Sequence, residues 1–418
     1  MMKPTNKVVC CVVDNGGNYL PQAHRLAQEY SKVYYTNPSW VDAYPKMNKP
    51  FIGYGLKDIE VVETPWEIYD EIDLWVFPDT YNGPFIEWLK AQGEIVWGSG
   101  VGEELELERD LLKEHTQELG LPVSKWENIV GLTNLRVYLQ KHEDVYVKIS
   151  KWRGTVETFH SQNYKLIKPE LDEMEHCLGP FANIIEFVVE QPVPDAVEIG
   201  FDGWTIDGAY PEYVLAGVEI KDKAYVGKFS AYSDLSTLIT GWNDKYSSTF
   251  KNYQYRGFMS TEIRVDNTKT PYMIDFTART PCPPGEIYLC LYENLGEVIW
   301  EGANGNMILP KARAKYGVEL LMESDWATHN FQAVYYPPKY AEYVKLKKAC
   351  KIDGVDYIIP QSYGSNDIGA VVGLGDTLEE AIKDCLDVAD SIEGNGICLR
   401  KDTFDTAREE FDKFEAIK

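Results

Sequence analysis

The sequence predicts a multidomain protein of mixed α/β and α+β class, on three observations. The chain is 418 residues long, more than one hydrophobic core ordinarily fills. Its first hundred residues alternate short apolar strands with amphipathic helices, the mark of a parallel α/β unit. Residues 257–279 instead pair two alternating strands around a polar turn, which is antiparallel hairpin chemistry.

The N-terminal unit runs KVVCCVVD, PQAHRLAQEY, SKVYYTN, then IDLWVFPD, GPFIEWLKAQG and EIVWG. Buried parallel strands read as such apolar runs because helices cover both faces of the sheet. Between the first strand and its helix lies Asp14-Asn15-Gly16-Gly17-Asn18, either an anion cradle of backbone amides or a plain tight turn. From residue 103, EELELERDLLKEHTQELG predicts one helix, stopped by Gly120 and Pro122. DVYVKIS predicts a strand with Val145, Val147 and Ile149 on one face and Lys148 on the opposite one, either solvated, as such lysines more often are, or functional. The run NIIEFVVEQPVPDAVEIGFDGWTIDG predicts two strands joined through Gln191 to Asp195. Its prolines leave the Gln191 carbonyl and the Val193 amide as free backbone groups, suited to reading an adenine edge or simply to a strand exchange. Past residue 310 the pattern changes, with a linker-like span near 321–340 and then a small α/β tail whose helix opens on a capping box at Thr377. The expected segments are therefore 1–102, 103–320 and 321–418.

Composition narrows the function. The formal charge is -25, and 44% of residues are hydrophobic. Such a surface repels phosphate backbones and anionic lipid, so duplex nucleic acid and membranes are not expected partners. The apolar run at residues 8–13 is too short for a signal-peptide core or a membrane span, and a cytoplasmic location is the expectation. Eight cysteines show no CxxC pair and read as reduced core filler. Six scattered histidines show no ligand spacing, and no Ser or Cys nucleophile with a His partner is evident. The sequence leaves the oligomeric state open.

The hairpin carries the densest chemistry. In its first strand Ser260, Glu262, Arg264 and Asp266 share a face; in its second, Met273, Asp275, Thr277 and Arg279 do. Folding about Thr268 and Lys269 brings Glu262 toward Asp275. Two carboxylates across a ladder repel unless a cation lies between them. Mg²⁺, which takes one or two carboxylates plus substrate phosphates, is one such cation; a solvated face balanced by Arg264 and Arg279 is the other reading.

The order of these segments resembles the ATP-grasp superfamily, and within it the phosphoribosylamine-glycine ligases, over nearly the whole chain. IDLWVFPD, GEIVWG and ELERDLLKEHTQELGLPVSKW are similar to that family's domain end and entry helix, and AVVGLGDTLEEAIKDCLDVADSI to its C-terminal domain. The resemblance implies an ATP-grasp fold, with a pre-ATP-grasp domain over 1–102, an ATP-grasp domain of two subdomains with the nucleotide between them over 103–320, and a C-terminal domain over 321–418. It implies a ligase joining a small-molecule carboxylate to an amine, with ATP and Mg²⁺ (or Mn²⁺), through an acyl phosphate. Lys113 and Lys148 match the lysines on the nucleotide phosphates, and Lys148 and Arg279 the catalytic charges, Arg279 steadying the acyl-phosphate region. Glu190 with the backbone of Gln191 and Val193 matches the adenine hinge, and Glu198 the acid on the ribose hydroxyls. Glu262 and Asp275 match the metal carboxylates. Thr277 stands where the family has asparagine, a neutral oxygen still able to ligate. The phosphate loop 151–155 has a single glycine, with Lys151 and Arg153 supplying charge instead. The family's Gly-rich acceptor loop is missing, so the resemblance leaves the carboxylate and the amine open.

Overall fold

The computed structural model describes residues 3–37, 51–150, 158–194, 196–360 and 366–417. They fall into two compact units. One comprises 1–103, 200–260 and 277–418, and the other 104–199 and 261–276. These units are defined by packing rather than by chain order, so they cut across the three sequence segments expected above.

The first unit opens on the predicted parallel sheet. Strands β1 (Val9–Val13), β2 (Lys32–Thr36), β3 (Glu60–Val61), β4 (Leu74–Val76) and β5 (Val96–Trp97) lie in the order β3-β2-β1-β4-β5. All four pairings are parallel. Helices α1 (Leu20–Leu26) and α2 (Gly83–Gln92) connect them, and α2 stops at Gly93, whose φ of 89° is the left-handed cap a Cβ would resist. Cys10, Val12 and Val76 face one apolar cluster, while Cys11, Val13 and Trp75 face another. Both faces are therefore buried, as the unbroken apolar runs require.

In the second unit the predicted helix from residue 103 is two helices, α3 (Glu104–Leu107) and α4 (Arg109–Glu118). Glu108 is extended, with φ -101° and ψ 91°, and this turns the Arg109 amide toward the Ser150 hydroxyl, 3.3 Å away. An antiparallel sheet follows, made of β6 (Trp126–Val130), β7 (Val145–Ile149), β8 (Thr158–Ser161) and β9 (Glu186–Glu190) in the order β6-β9-β7-β8. Helices α5 (Leu132–Leu139) and α6 (Tyr164–Leu178) cover one face. Leu135, Val145, Val147, Leu171 and Phe187 form its core, so the predicted apolar face of β7 is the packed one.

Along the chain come β10 (Val197–Ile206), β11 (Tyr213–Ile220), β12 (Ala224–Ala231), α7 (Thr237–Asn252), and the hairpin of β13 (Arg256–Val265) and β14 (Pro271–Thr277). Strands β10, β13 and β14 form a sheet in that order. The hairpin turn is held by Asp266, whose carboxylate accepts from the Thr268 and Thr270 amides at 2.9 and 3.0 Å. Met273 and Phe276, which alternation places on opposite faces of β14, are both buried, so the strand is packed on its two sides.

The rest of the first unit is built on α8 (Gly285–Leu291), α9 (Leu295–Ala303), β15 (Tyr316–Glu323), β16 (Gln332–Val334), β17 (Val344–Leu346), β18 (Ala349–Ile352), β19 (Val355–Ile358), β20 (Asp367–Gly375), α10 (Leu378–Ala389), β21 (Cys398–Leu399) and α11 (Thr403–Ala416). The main sheet runs β11-β12-β15-β20-β17, with β21 on β15. The linker expected near 321–340 is instead the end of β15, strand β16 and two short turns. Met322, Ala327 and Val334 are buried there, so an irregular, polar-looking sequence is tied down by packing. The capping box holds as predicted, with Thr377 accepting from the Glu380 amide and Glu380 accepting from the Thr377 amide.

Candidate active site

The second unit gathers charge around β9. Glu190 ends that strand, paired with Trp126 on β6 and Tyr146 on β7, and is only 3% exposed. A buried carboxylate needs partners. Lys113 on α4 donates to Glu190 Oε2 at 2.8 Å, and the Ser124 hydroxyl donates to the same oxygen at 2.7 Å. Lys148 on β7 lies 3.2 Å from Glu190 Oε1 as an ion pair, not an aligned hydrogen bond. Burial alone would raise the Glu190 carboxyl, but Lys148 and Lys113 hold it below the usual carboxylate range. Burial outweighs the Glu190 charge at Lys113, whose ammonium is pushed down to about 8.

Asp275 on β14 belongs to the same network. Its Oδ1 pairs with Arg109 Nη1, its Oδ2 lies 3.7 Å from Lys148 Nζ, and the Phe276 amide donates to Oδ1 at 2.9 Å. The lysines also hold the strand itself. Lys113 donates to the Met273 carbonyl at 2.9 Å and approaches that of Ile274 at 3.4 Å, and Lys148 donates to the Ile274 carbonyl. Successive carbonyls of a regular strand point to opposite sides. Here the Lys113 ammonium lies within reach of two in a row.

The sequence therefore named four members of this network, Lys113, Lys148, Glu190 and Asp275. It missed one. Lys148 is 3% exposed, which rules out the solvated alternative. Arg109 was missed, although it stands four residues before Lys113 and so on the same face of α4. Glu198 on β10 lies apart from Glu190 in its bonding, accepting from Arg264 Nη2 at 2.8 Å. Thus Arg264 pairs with Glu198. Glu262 is half-buried on β13, next to β14 in the sheet. The Gln191 amide donates to the Lys125 carbonyl at 2.9 Å, and Val193 is half-buried in the connector. Lys151 and Arg153 lie outside the described residues.

Thr277 and Arg279 belong to the first unit. Thr277 is half-buried. Arg279 donates to the Tyr19 hydroxyl at 3.1 Å and stands 3.8 Å from Asp79. In the same unit, Asp14 resolves the Gly-rich turn. Its carboxylate accepts from the Gly17 and Tyr19 amides at 2.9 and 2.8 Å and from the Tyr35 hydroxyl at 2.7 Å. These two amides are taken by the loop's own aspartate, as a tight turn requires. Burial raises the Asp14 carboxyl to about 6, against the pull of those bonds.

Among the described residues, no three His, Cys, Asp or Glu side chains gather closely enough to hold a metal ion. Two carboxylates on neighbouring strands, Glu262 and Asp275, are what Mg²⁺ ordinarily takes from a protein when substrate phosphates complete its shell. As oxygen donors on neighbouring strands, Glu262 and Asp275 are of the type such an ion takes. No helix among the described residues is long and apolar enough to cross a membrane.

No family model matches the sequence, and no curated protein matches it. Solved structures do match the architecture. Phosphoribosylamine-glycine ligase from Thermotoga maritima superposes with a TM-score of 0.72 at 17% identity, covering 94% of this chain and 100% of that one. The biotin carboxylase domain of Hydrogenobacter thermophilus 2-oxoglutarate carboxylase, solved with MgADP and bicarbonate, gives 0.63 at 10% identity, covering 93% and 91%. L-amino acid ligase from Bacillus licheniformis gives 0.62 at 13% identity, covering 94% and 99%. At these identities the likeness is one of fold. The chain has the ATP-grasp fold, in the form shared by phosphoribosylamine-glycine ligase and the biotin carboxylases.

Proposed function

We propose that the chain is an ATP-dependent carboxylate-amine ligase acting on small molecules. A substrate carboxylate oxygen attacks the γ-phosphorus of ATP, giving an acyl phosphate and ADP. The amine nitrogen then attacks the acyl carbon, phosphate leaves, and the amine proton is lost as the amide forms. The observation that supports this most is the convergence of Arg109, Lys113 and Lys148 on two carboxylates in one unit. In a chain of charge -25, such local positive charge is what a polyphosphate needs. Phosphoryl transfer asks little covalent help of a protein, so positioned charge supplies most of the rate.

In this reading Lys113, Lys148 and Arg109 bear on the phosphates, together with Lys151 and Arg153. Glu190 and the Gln191 and Val193 backbone serve the adenine, and Glu198 serves the ribose once Arg264 shares it. Glu262 and Asp275 are the residues to hold Mg²⁺ or Mn²⁺, which when bound would neutralise phosphate oxygens. For Thr277 as a further oxygen ligand and Arg279 at the acyl phosphate, the proposal rests on the resemblance alone.

A second reading, a protein that binds nucleotide or a partner without turnover, is favoured by one observation. Lys113 already donates to Glu190, Lys148 pairs with it as an ion, and both donate to backbone carbonyls of β14, which is also what purely structural lysines would do. Metal-dependent ADP release from ATP, measured with pooled carboxylates and amino acids, separates the two. The ligase predicts ADP that requires both pools' components and is lost in Glu262→Gln. Tight ATP binding without ADP under every pairing supports the second reading. Asp275→Asn is the less clean probe, because it also removes an ion-pair partner of the nearly buried Arg109.

A further inference from the structure

Between Lys57 and Lys90 the sequence holds nine acids and no Lys, Arg or His. Most of these acids are answered within the fold. Glu60 pairs with Lys32 at 2.9 Å, Glu87 with Lys90 at 3.0 Å, Asp73 with Lys3 and Asp58 with His24. Asp79 lies near Arg279, and Glu71 accepts from the Tyr34 hydroxyl at 2.6 Å. Glu63, Glu67 and Asp70 are exposed, and no described cation pairs with them. They surround Trp66, at three residues before it, one after and four after.

Trp66 is 51% exposed, and Trp88 on α2 is 43% exposed. Their rings meet edge to face at 5.6 Å. Phe85 packs against both, 5.3 Å from Trp66 and 6.1 Å from Trp88, and Tyr69 does so at 6.2 and 6.1 Å. Tyr69 is itself fixed by donating to Glu94 at 2.7 Å. The two tryptophans are thus held by ring contacts while about half exposed, inside a rim of unanswered negative charge. Exposed aromatic anchors that cost little entropy to order are characteristic of recognition surfaces.

We propose that the Trp66–Trp88 face docks an arginine-rich segment of a partner protein. Guanidinium planes stack on indole faces by cation-π attraction, and the rim of Glu63, Glu67 and Asp70 supplies complementary charge. The same rim argues against the other occupants. A two-fold contact with a second copy sets rim against rim, and nucleic acid or anionic lipid is repelled. The proposal stands apart from the ligase reading, since it uses none of that site's residues.

The test is fluorescence anisotropy of a labelled nona-arginine peptide titrated with the full chain at about 0.15 M salt, where diffuse attraction is screened beyond roughly 8 Å. Binding is expected, and the double variant Trp66→Ala, Trp88→Ala, which leaves the net charge unchanged, is expected to weaken it about tenfold or more. The triple variant Glu63→Gln, Glu67→Gln, Asp70→Asn is expected to weaken it as well, and tests the proposal on its own should the tryptophan variant not fold by circular dichroism. Equal affinity in the parent and the folded variants would mean diffuse attraction to an acidic chain, and overturns the proposal, as does no binding at this salt. A dimer in light scattering that dissociates in the tryptophan variant would identify a second copy as the occupant and overturn it equally.

Discussion

Lys113 shows what one residue of the network is worth. Its side chain is 1% exposed and pairs with a Glu190 that is 3% exposed, so breaking the pair leaves a charge buried with less compensation. Lys113→Met is expected to destabilise the second unit by about 3 kcal/mol, while adding Glu190→Gln recovers most of the loss; urea unfolding of the single and double variants checks this. The pH dependence has a definite sign. Burial lowers the folded ammonium to about 8 from 10.5, so between those values the unfolded chain holds the proton and the folded chain does not, and this residue's contribution to stability rises with pH across that window. Its charge is lost over the same range, so nucleotide affinity should fall as pH rises through about 8 without unfolding. Nucleotide titrations of parent and Lys113→Met should therefore converge above that pH; a gap that persists would contradict the assignment. At this scale the sequence told which face Lys148 shares but not how deep it lies, because alternation reports side and not depth. Arg109 was legible only through its four-residue spacing from Lys113, and a helix taken as unbroken hid that it begins one.

Elements explain why much of the fold was readable and part was not. The parallel strands were legible because burial on both faces writes itself as apolar runs, and α10 because a capping box has a fixed spacing. The hold on β14 was not legible, because it comes from Lys113, more than a hundred residues away, which takes the Met273 carbonyl and approaches that of Ile274. The span 321–340 was misread for the same reason, since its order comes from tertiary burial and not local pattern. The packing of α10 on β20 supplies a test. A methyl group at Gly373 would sit 2.2 Å from the Ala381 carbonyl oxygen and 2.3 Å from the Cys385 amide nitrogen, and backbone cannot give way as a flexible side chain does. Gly373→Ala should therefore cost about 2 kcal/mol or more through overpacking, with the loss seen as a lowered unfolding midpoint. An unchanged midpoint would mean that the helix rides higher on the strand.

For the molecule as a whole, a charge of -25 and a fold shared with ATP-dependent ligases point the same way. Under the proposed function, an acidic surface disfavours polyanions at large, while the buried cationic network of Arg109, Lys113 and Lys148 would receive a small one. What the fold alone leaves open is whether a carboxylate is activated there. Hydroxylamine tests that directly, because it captures an acyl phosphate as a hydroxamate whatever the natural amine is. The chain is incubated with ATP, Mg²⁺, hydroxylamine and pooled carboxylates, and hydroxamate is measured beside ADP. The account predicts the two in equal amounts, dependent on Mg²⁺ and lost in Glu262→Gln. ADP formed without hydroxamate, or nucleotide bound without either product, would contradict it.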